Sequence, residues 1–412
     1  MRQLILFVAL LVCGTGTLAE SVLVTNAQLI ERDTPPGMTF DILVSDGVIA
    51  RIDKNIDGVA SDSVIDAAGR PVTGAFFAGM TALGLNEIGM VYDTVDNRLA
   101  DFFTGLIHPE FDIRKAFNPH STAIPVTRIE GFSYTLLAAT PGDRPLSGHG
   151  SLVRLDGGFN SFEGKRVMYA DVSGAMSGKL GGSRAAGWML LDAIFSELTT
   201  PDEDLKLMTP GGKAALADTK AQGLFVFRAH RASDIAQALG FAKAHGLNIV
   251  ISGGQEAWVV RQELSEAGVP VIINALDNLP QSFDTLGARL DNAALLHDAG
   301  VTVLFTSGET HNARKLRQVA GNAVAHGLPH KTALAAMTTL PARIFGGADR
   351  SLQQGSRADL VIWSGDPLDV NAAADMVIIG GELDKMQSRQ TMLLRRYLPE
   401  DPGTSRAYIT PQ

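Results

Sequence analysis

Cysteine is almost absent from this chain: its 412 residues include a single one, Cys13, close to the N-terminus. One cysteine cannot form an internal disulfide or a cysteine-rich zinc site. No Gly-x-Ser-x-Gly elbow occurs either, so a nucleophile mechanism has no obvious candidate residue. Long basic runs are missing too, and the formal net charge is −9. This balance argues against nucleic acid as a partner.

Long apolar runs are confined to the first residues. Arg2 precedes the apolar stretch Leu4–Val12, and Thr17 and Ala19 supply small residues before Glu20. This order is typical of a cleaved secretory signal peptide. A membrane anchor is the alternative, but the run is short for a bilayer span. We therefore predict a signal peptide at residues 1–19 and a secreted, periplasmic chain without membrane contact beyond that peptide.

Two patterns of secondary structure share the rest of the chain. Residues 20–75 and 345–400 contain short strands separated by glycine-bearing turns. Residues 76–344 contain strands that alternate with helices, including one that Ser233 is predicted to cap and Gly246 to end. The predicted fold is α/β. It combines a (β/α)8 TIM-like barrel at 76–344 with a small β-sandwich domain built from both chain ends.

Several motifs carry a family resemblance. Residues 64–84 are similar to the strand that opens an amidohydrolase barrel, and residues 228–235 are similar to the strand-5 motif His-Ala-His-Arg-Ala-x-Asp-Ile. Matches to the tail that closes the β domain lie at residues 340–346, 355–361 and 365–368. The chain thus resembles the imidazolonepropionase-like branch of the amidohydrolase superfamily over residues 21–390. The resemblance implies hydrolysis of non-peptide C–N bonds in small cyclic amides or N-acyl compounds.

The resemblance also implies a metal centre, but other residues stand at its five ligand positions. The family holds zinc or another divalent ion with a His-x-His pair, two further histidines and an aspartate, on strands 1, 5, 6 and 8. The corresponding residues here are Met80, Ala82, Arg228, Gly253 and Gly308. A thioether and a methyl group are poor ligands for such ions, and the charge of Arg228 would repel a cation. We therefore predict that the chain binds no metal and no other cofactor.

Five polar residues remain as candidates for the site. His230 keeps the second histidine of the strand-5 motif, while Glu309 and His311 follow strand 8 at the expected barrel mouth. These three are the predicted catalytic residues, with a purely structural His230 as the alternative. Arg228 and His149, the latter in a Ser-Gly-His-Gly segment, are the predicted substrate-binding residues. Arg228 either binds an anion or fills the vacated metal space by pairing with an acid.

Three functions are compatible with these residues, and each takes a small molecule as its ligand. The first is a metal-free relative of the hydrolases that acts as a degenerate or partner subunit, beside an active amidohydrolase paralogue or as a homo-oligomer. The second is an active hydrolase with an unconventional site. The third is a small-molecule binding protein that uses Arg228 as an anion clamp.

Overall fold

The computed structural model describes residues 21–35, 37–99, 106–200 and 206–398, and the predicted signal peptide lies outside these ranges. The strands are β1 (Val22–Leu29), β2 (Phe40–Ser45), β3 (Val48–Asp53), β4 (Ser63–Asp66), β5 (Pro71–Gly74), β6 (Phe76–Thr81), β7 (Phe132–Leu137), β8 (Leu146–Arg154), β9 (Phe162–Asp171), β10 (Leu224–Ala229), β11 (Ile249–Gly253), β12 (Val271–Ile273), β13 (Val303–Phe305), β14 (Leu360–Trp363), β15 (Ala374–Ile379) and β16 (Glu382–Leu383).

Helices surround and connect these strands. They are α1 (Ala123–Arg128), α2 (Gly174–Lys179), α3 (Arg184–Ser196), α4 (Pro210–Gln222), α5 (Ala232–His245), α6 (Arg261–Glu266), α7 (Asn292–Asp298), α8 (Leu316–Ala325), α9 (His330–Met337), α10 (Thr339–Phe345) and α11 (Arg389–Tyr397). Short 3-10 helices lie at Tyr92–Thr94, Ile113–Ala116, Ala257–Val260 and Thr310–Lys315. Within the described ranges, no helix has both the length and the apolar composition that crossing a bilayer requires.

The strands from β6 to β13 form a nearly closed barrel in chain order. At the gap between its first and last strands, the Thr306 hydroxyl donates a hydrogen bond of 3.3 Å to the carbonyl of Met80. The helices follow the later strands and cover them from outside. The prediction of a mixed α/β fold with a TIM-like barrel and a second domain is confirmed.

One strand departs from a regular (β/α)8 barrel. β8 runs antiparallel to both neighbours, β7 and β9, whereas the other barrel pairs are parallel. The connections on either side of β8, residues 138–145 and 155–161, are too short to contain a crossover helix. Short connections return a chain in the opposite direction, so β7, β8 and β9 form an antiparallel meander.

Alternate side chains of the barrel strands enter two different cores. In β10, Val226 belongs to the core inside the barrel with Val250, whereas Phe225 and Phe227 belong to the core beneath the surrounding helices. Because side chains alternate along a strand, Arg228 has the same direction as Val226. It therefore points toward the barrel axis at the carboxyl end of the strand.

The second sheet combines both ends of the chain. Its order is β16-β15-β14-β5-β1-β2-β3, and β4 pairs with the first half of β1. Side chains from both ends, including Val24, Ile42, Leu360 and Ile362, share one buried cluster. The exact domain boundaries, 20–75 plus 345–400 against 76–344, stay predictions.

Helix α5 follows the strand that carries Arg228. It begins at Ala232 after the N-cap Arg231, so the prediction that Ser233 caps it is wrong. The backbone N–H of Ala232 donates instead to Oε2 of Glu256, at 3.1 Å. A side chain from the next connection thus replaces the local cap. Gly246, at φ +65°, ends the helix as predicted.

Candidate functional site

A cavity of about 350 Å³ opens at the carboxyl ends of the barrel strands. Met80 from β6, Tyr169 from β9 and Arg228 from β10 line it, together with residues that follow β10 to β13. TIM-barrel proteins place their active sites at this end of the barrel. The predicted residues Arg228 and His230 both lie here, so the structure brings these two together.

A chain of side chains connects His230 to a carboxylate. Nδ1 of His230 contacts Oε1 of Gln255, and the amide nitrogen of Gln255 donates to Oδ2 of Asp277 at 3.2 Å. The carboxylate only accepts, so the amide NH₂ faces Asp277 and the amide oxygen faces the imidazole. These partners assign the imidazole proton to Nδ1 and leave Nε2 as an acceptor, toward which Nε of Arg228 points at 3.4 Å. These contacts hold the His230 ring in one orientation.

Asp277 is the acidic end of this chain and is half-buried. Its other oxygen, Oδ1, accepts a hydrogen bond of 2.9 Å from the amide of Asn274. Burial raises the pKa of Asp277 above its usual value, although the Gln255 amide and the nearby His230 oppose the change. A carboxyl group with such a pKa keeps a proton to higher pH than an exposed one.

Arg228 is the main positive charge of the cavity. Its side chain is 53% exposed, and NH1 lies 3.9 Å from Oδ2 of Asp171. That carboxylate is buried and already accepts a hydrogen bond of 2.8 Å from the backbone N–H of Ser173. Among the residues described, the polar contacts of the guanidinium are this long ion pair and His230. Most of its donors therefore face the cavity.

Gly253 makes the position of the His230 ring possible. It has φ +100°, and a Cβ built there would lie 2.6 Å from Cε1 and 2.7 Å from Nδ1 of His230. Any side chain at this position would collide with the imidazole, and the backbone conformation also favours glycine. Gly253, which we predicted to stand at a metal-ligand position, thus provides space for the imidazole of His230.

A wider cleft of about 650 Å³ continues outward from the cavity. The two spaces share Arg228, His230, Gln255 and Asp277 as walls. On the far side of the cleft, Arg184 contacts the carboxylate of Asp284 and forms an ion pair of 3.0 Å with Asp234. The two spaces adjoin each other at these four shared residues.

The other predicted site residues lie elsewhere. His149 is buried on β8, where Nδ1 lies 2.9 Å from the carbonyl of Pro109 and Nε2 lies 3.6 Å from the Asp112 carboxylate. It holds the segment around Asp112 against the barrel and does not line the cavity. Glu309 and His311 are exposed just beyond β13 and lie 3.9 Å from each other. The structure does not bring these three residues to Arg228 and His230.

The side chains at the mouth do not form a donor set for a divalent cation. Of the five residues predicted to stand at metal-ligand positions, Met80, Arg228, Gly253 and Gly308 line the cavity, while Ala82 is buried. Across the described ranges, no three His, Cys, Asp or Glu side chains come together as they would around a metal ion. A guanidinium in the middle of such a site would also oppose a cation electrostatically.

Gln255, Asn274 and Asp277 are the site residues that the sequence did not point to. Each lies one to four residues after the end of β11 or β12, where barrel proteins carry their functional side chains. Their position after a strand end could have identified them as site residues. However, Gln and Asn are also ordinary residues of loops, so this position alone did not single them out.

Comparison with known proteins points to one family. Residues 291–383 match the model described as "Amidohydrolase family". The chain is 38% identical over 115 residues to amidohydrolase tasK of Hapsidospora irregularis. This match covers 27% of the chain and only 12% of that curated relative.

Solved structures extend the similarity to most of the fold. An amidohydrolase from Thermotoga maritima MSB8 superposes with a TM-score of 0.77 over 88% of this chain and 99% of its own, at 22% identity. N-isopropylammelide isopropylaminohydrolase from Burkholderia multivorans ATCC 17616 superposes with a TM-score of 0.52. The superposition covers 88% of this chain and 98% of that protein, at 16% identity. At these identities the likeness concerns the fold.

Proposed function

From the premise that this chain carries the amidohydrolase fold, with a family match at residues 291–383, we propose that it is a metal-free protein that binds a small anion at the barrel mouth. It would act as a degenerate relative of the hydrolases. Fold alone does not establish activity, so the proposal rests on the side chains of the site.

The placement of Arg228 is the observation that carries the proposal. The guanidinium lines both the cavity and the outer cleft, and its ion pair with Asp171 is long, at 3.9 Å. A guanidinium with open donors binds a carboxylate through two parallel hydrogen bonds. His230 supports this orientation because its Nε2 faces the Arg228 side chain. A planar anion such as a carboxylate fits this arrangement best.

Calorimetric titration with benzoate and with the uncharged benzamide tests the proposal. We expect benzoate to bind, benzamide to bind much more weakly, and Arg228→Ala to reduce benzoate affinity by roughly 10- to 100-fold, as expected for charged hydrogen bonds. Arg228→Lys is the matched control, since it keeps the charge but loses the two-pronged geometry, and should give an intermediate value. Equal affinity in wild type and Arg228→Ala would exclude the proposed clamp.

Elemental analysis tests the metal-free part separately. Protein purified without chelators should contain less than about a tenth of an equivalent of Zn, Mn, Ni or Fe, because the described donors are too few to retain an ion. A stoichiometric metal content would contradict this part of the proposal.

A second candidate function is a C–N hydrolase with a displaced, metal-independent site. The observation in its favour is the chain from His230 through Gln255 to Asp277, where burial raises the pKa of the carboxyl group. A histidine linked in this way to a carboxyl group resembles the acid–base groups of an active site. Assays with N-acyl amino acids and small cyclic amides decide the question: turnover that His230→Ala abolishes supports hydrolysis, and absence of turnover leaves the binding role.

The partner and the location stay predictions. An active amidohydrolase paralogue or a second copy of this chain would co-purify from the native host. Fractionation of the same cells would place the protein in the periplasm or elsewhere.

A further inference from the structure

The wall of the outer cleft carries two large apolar side chains in solvent. Leu279 is 67% exposed and Phe283 is 86% exposed, and both line the cleft that Arg228 enters. A single exposed apolar residue is ordinary. Two of them on the wall of a concave space, beside a cation, are a combination that fits a ligand with both apolar and anionic parts.

The loop that holds Phe283 is anchored, so the exposure of the ring is a built feature. The neighbouring residue, Asp284, is buried. One carboxylate oxygen of Asp284 contacts Arg184, and the other accepts a hydrogen bond of 2.6 Å from the backbone N–H of Gly174. Ser282 accepts a further bond of 3.2 Å from the backbone N–H of Asp284. These contacts fix the backbone on either side of the ring, while the ring itself is 86% exposed among the residues that the structure describes.

The anion position and the apolar wall belong to two adjoining spaces with shared walls. Arg228, His230, Gln255 and Asp277 line both the inner cavity and the outer cleft, so a ligand bound at Arg228 has a path outward past the loop. The cleft volume of about 650 Å³ exceeds what a carboxylate alone requires. The remaining volume adjoins Leu279 and Phe283.

We propose that the ligand is an amphipathic carboxylate, whose head binds Arg228 and whose acyl or aryl tail lies in the outer cleft against Leu279 and Phe283. This inference rests on the anion-binding function proposed above and adds the chemical class of the ligand. The tail covers apolar surface that otherwise faces water, and this coverage gives the affinity that a small anion would lack.

A series of straight-chain carboxylates provides the test. Butyrate, hexanoate, octanoate and decanoate are titrated into the protein below their micellar concentrations, with decanol and decylamine as head-group controls. We expect affinity to rise about twofold per methylene, which is the increment for a half-buried chain. Decanol should bind far more weakly than decanoate, and decylamine should show no binding at the Arg228 position.

The variants locate the tail. The double substitution Leu279→Ser with Phe283→Ser should flatten the dependence on chain length while butyrate binding stays unchanged. Leu286→Ser is the matched control, because Leu286 is also exposed (60%) on the same loop but does not line the cleft. It should leave the dependence intact.

The outcomes separate the two proposals. Butyrate binding that Arg228→Ala abolishes, without any dependence on chain length, overturns the tail and leaves the anion site. If affinity still rises with chain length in the double variant, the proposed tail position is also overturned, because the tail then lies elsewhere. If no carboxylate binds the wild type, the anion-binding function fails and this inference fails with it.

Discussion

Glu31 is a half-buried acidic residue on the wall of a cavity. It lines a cavity of about 540 Å³ with Arg32, Lys331 and Arg343, between the second sheet and helices α9 and α10. Its Oε1 accepts a hydrogen bond of 2.7 Å from the backbone N–H of Gly74. Burial raises the pKa of Glu31 from 4.5 to about 7, although this hydrogen bond opposes the change. The charged form is therefore disfavoured in the folded protein at neutral pH.

We predict that Glu31→Gln changes how stability depends on pH. The folded state binds the proton more tightly than the unfolded chain, so this group's contribution is favourable at low pH and is lost as the pH rises through about 7. Glutamine keeps an acceptor for Gly74 and does not titrate. The variant should exceed wild type in unfolding free energy at pH 8, by at most about 3 kcal/mol, with a smaller difference at pH 5. Urea unfolding at the two pH values measures this, and an equal difference at both would refute it.

The residues of the site show how far sequence reasoning reaches at this scale. Arg228 and His230 were identified because a motif of fixed spacing contains them. Gln255 and Asp277 follow different strands and meet His230 only when the barrel brings those strand ends together. Contacts between distant segments leave no local pattern, so they could not be predicted from one sequence.

At the scale of the element, helix α5 directly follows the strand end that carries Arg228 and His230. It contains two glycines with opposite roles. Gly246 ends the helix in the left-handed region, at φ +65°, whereas Gly240 lies inside the helix. A Cβ at either position would meet no atom within 4 Å, so substitution changes backbone preference alone.

Alanine substitutions at these two positions should therefore have opposite effects on stability. Gly246→Ala should destabilise the protein by about 1 kcal/mol, because alanine resists the left-handed conformation. Gly240→Ala should stabilise it by up to about 1 kcal/mol, because alanine is the better helix former. Thermal unfolding of both variants measures the difference. Destabilisation of similar size at both positions would show that packing, and not backbone preference, determines the effect.

The ends of α5 also differ in how predictable they are. Gly246 is a local signal and marked the C-terminus correctly. The N-terminus begins before Ser233, because Glu256 from the following connection accepts the bond from Ala232. A cap supplied from elsewhere in the fold overrides the local preference for serine.

At the scale of the whole molecule, a buried ion cluster joins the two sheets. Arg350 is fully buried and lies 2.7 Å from Glu163 of β9 and 2.8 Å from Asp359, next to β14. Its guanidinium also stacks 4.0 Å from the ring centre of Tyr134 in β7. Arg357 completes the cluster with a contact of 3.0 Å to Asp359.

Arg350→Met should therefore destabilise the protein strongly. Removing one partner of a buried ion pair leaves the opposing carboxylates uncompensated, and the cost is about 3–5 kcal/mol. Arg51→Met is the control, since it breaks an exposed pair with Asp53 and should cost about 1 kcal/mol or less. Unfolding curves in guanidinium chloride compare the free energies of unfolding of the two variants. Equal losses would mean that the cluster adds nothing beyond a surface pair.

The overall fold was more predictable than the site, because its signals repeat along the chain. The alternation of strands and helices after residue 222 predicted the barrel, and motifs at both ends predicted a second domain that contains both. The resemblance to the amidohydrolases is confirmed by the family match at residues 291–383, and the superposed structures share the fold. The antiparallel direction of β8 escaped prediction, since a strand pattern carries no information on direction.

That antiparallel strand has a consequence for how the barrel assembles. Residues 138–145 and 155–161 close the β7–β8–β9 meander over short loops, whereas β9 and β10 are separated by residues 172–223. Short loops lose less conformational entropy on closure, so the meander is the part of the barrel with the lowest contact order. The cavity residues Arg228, His230 and Asp277 all come from segments after β9. The strands of the barrel wall that are joined by short loops are thus separate from the segments that supply Arg228, His230 and Asp277.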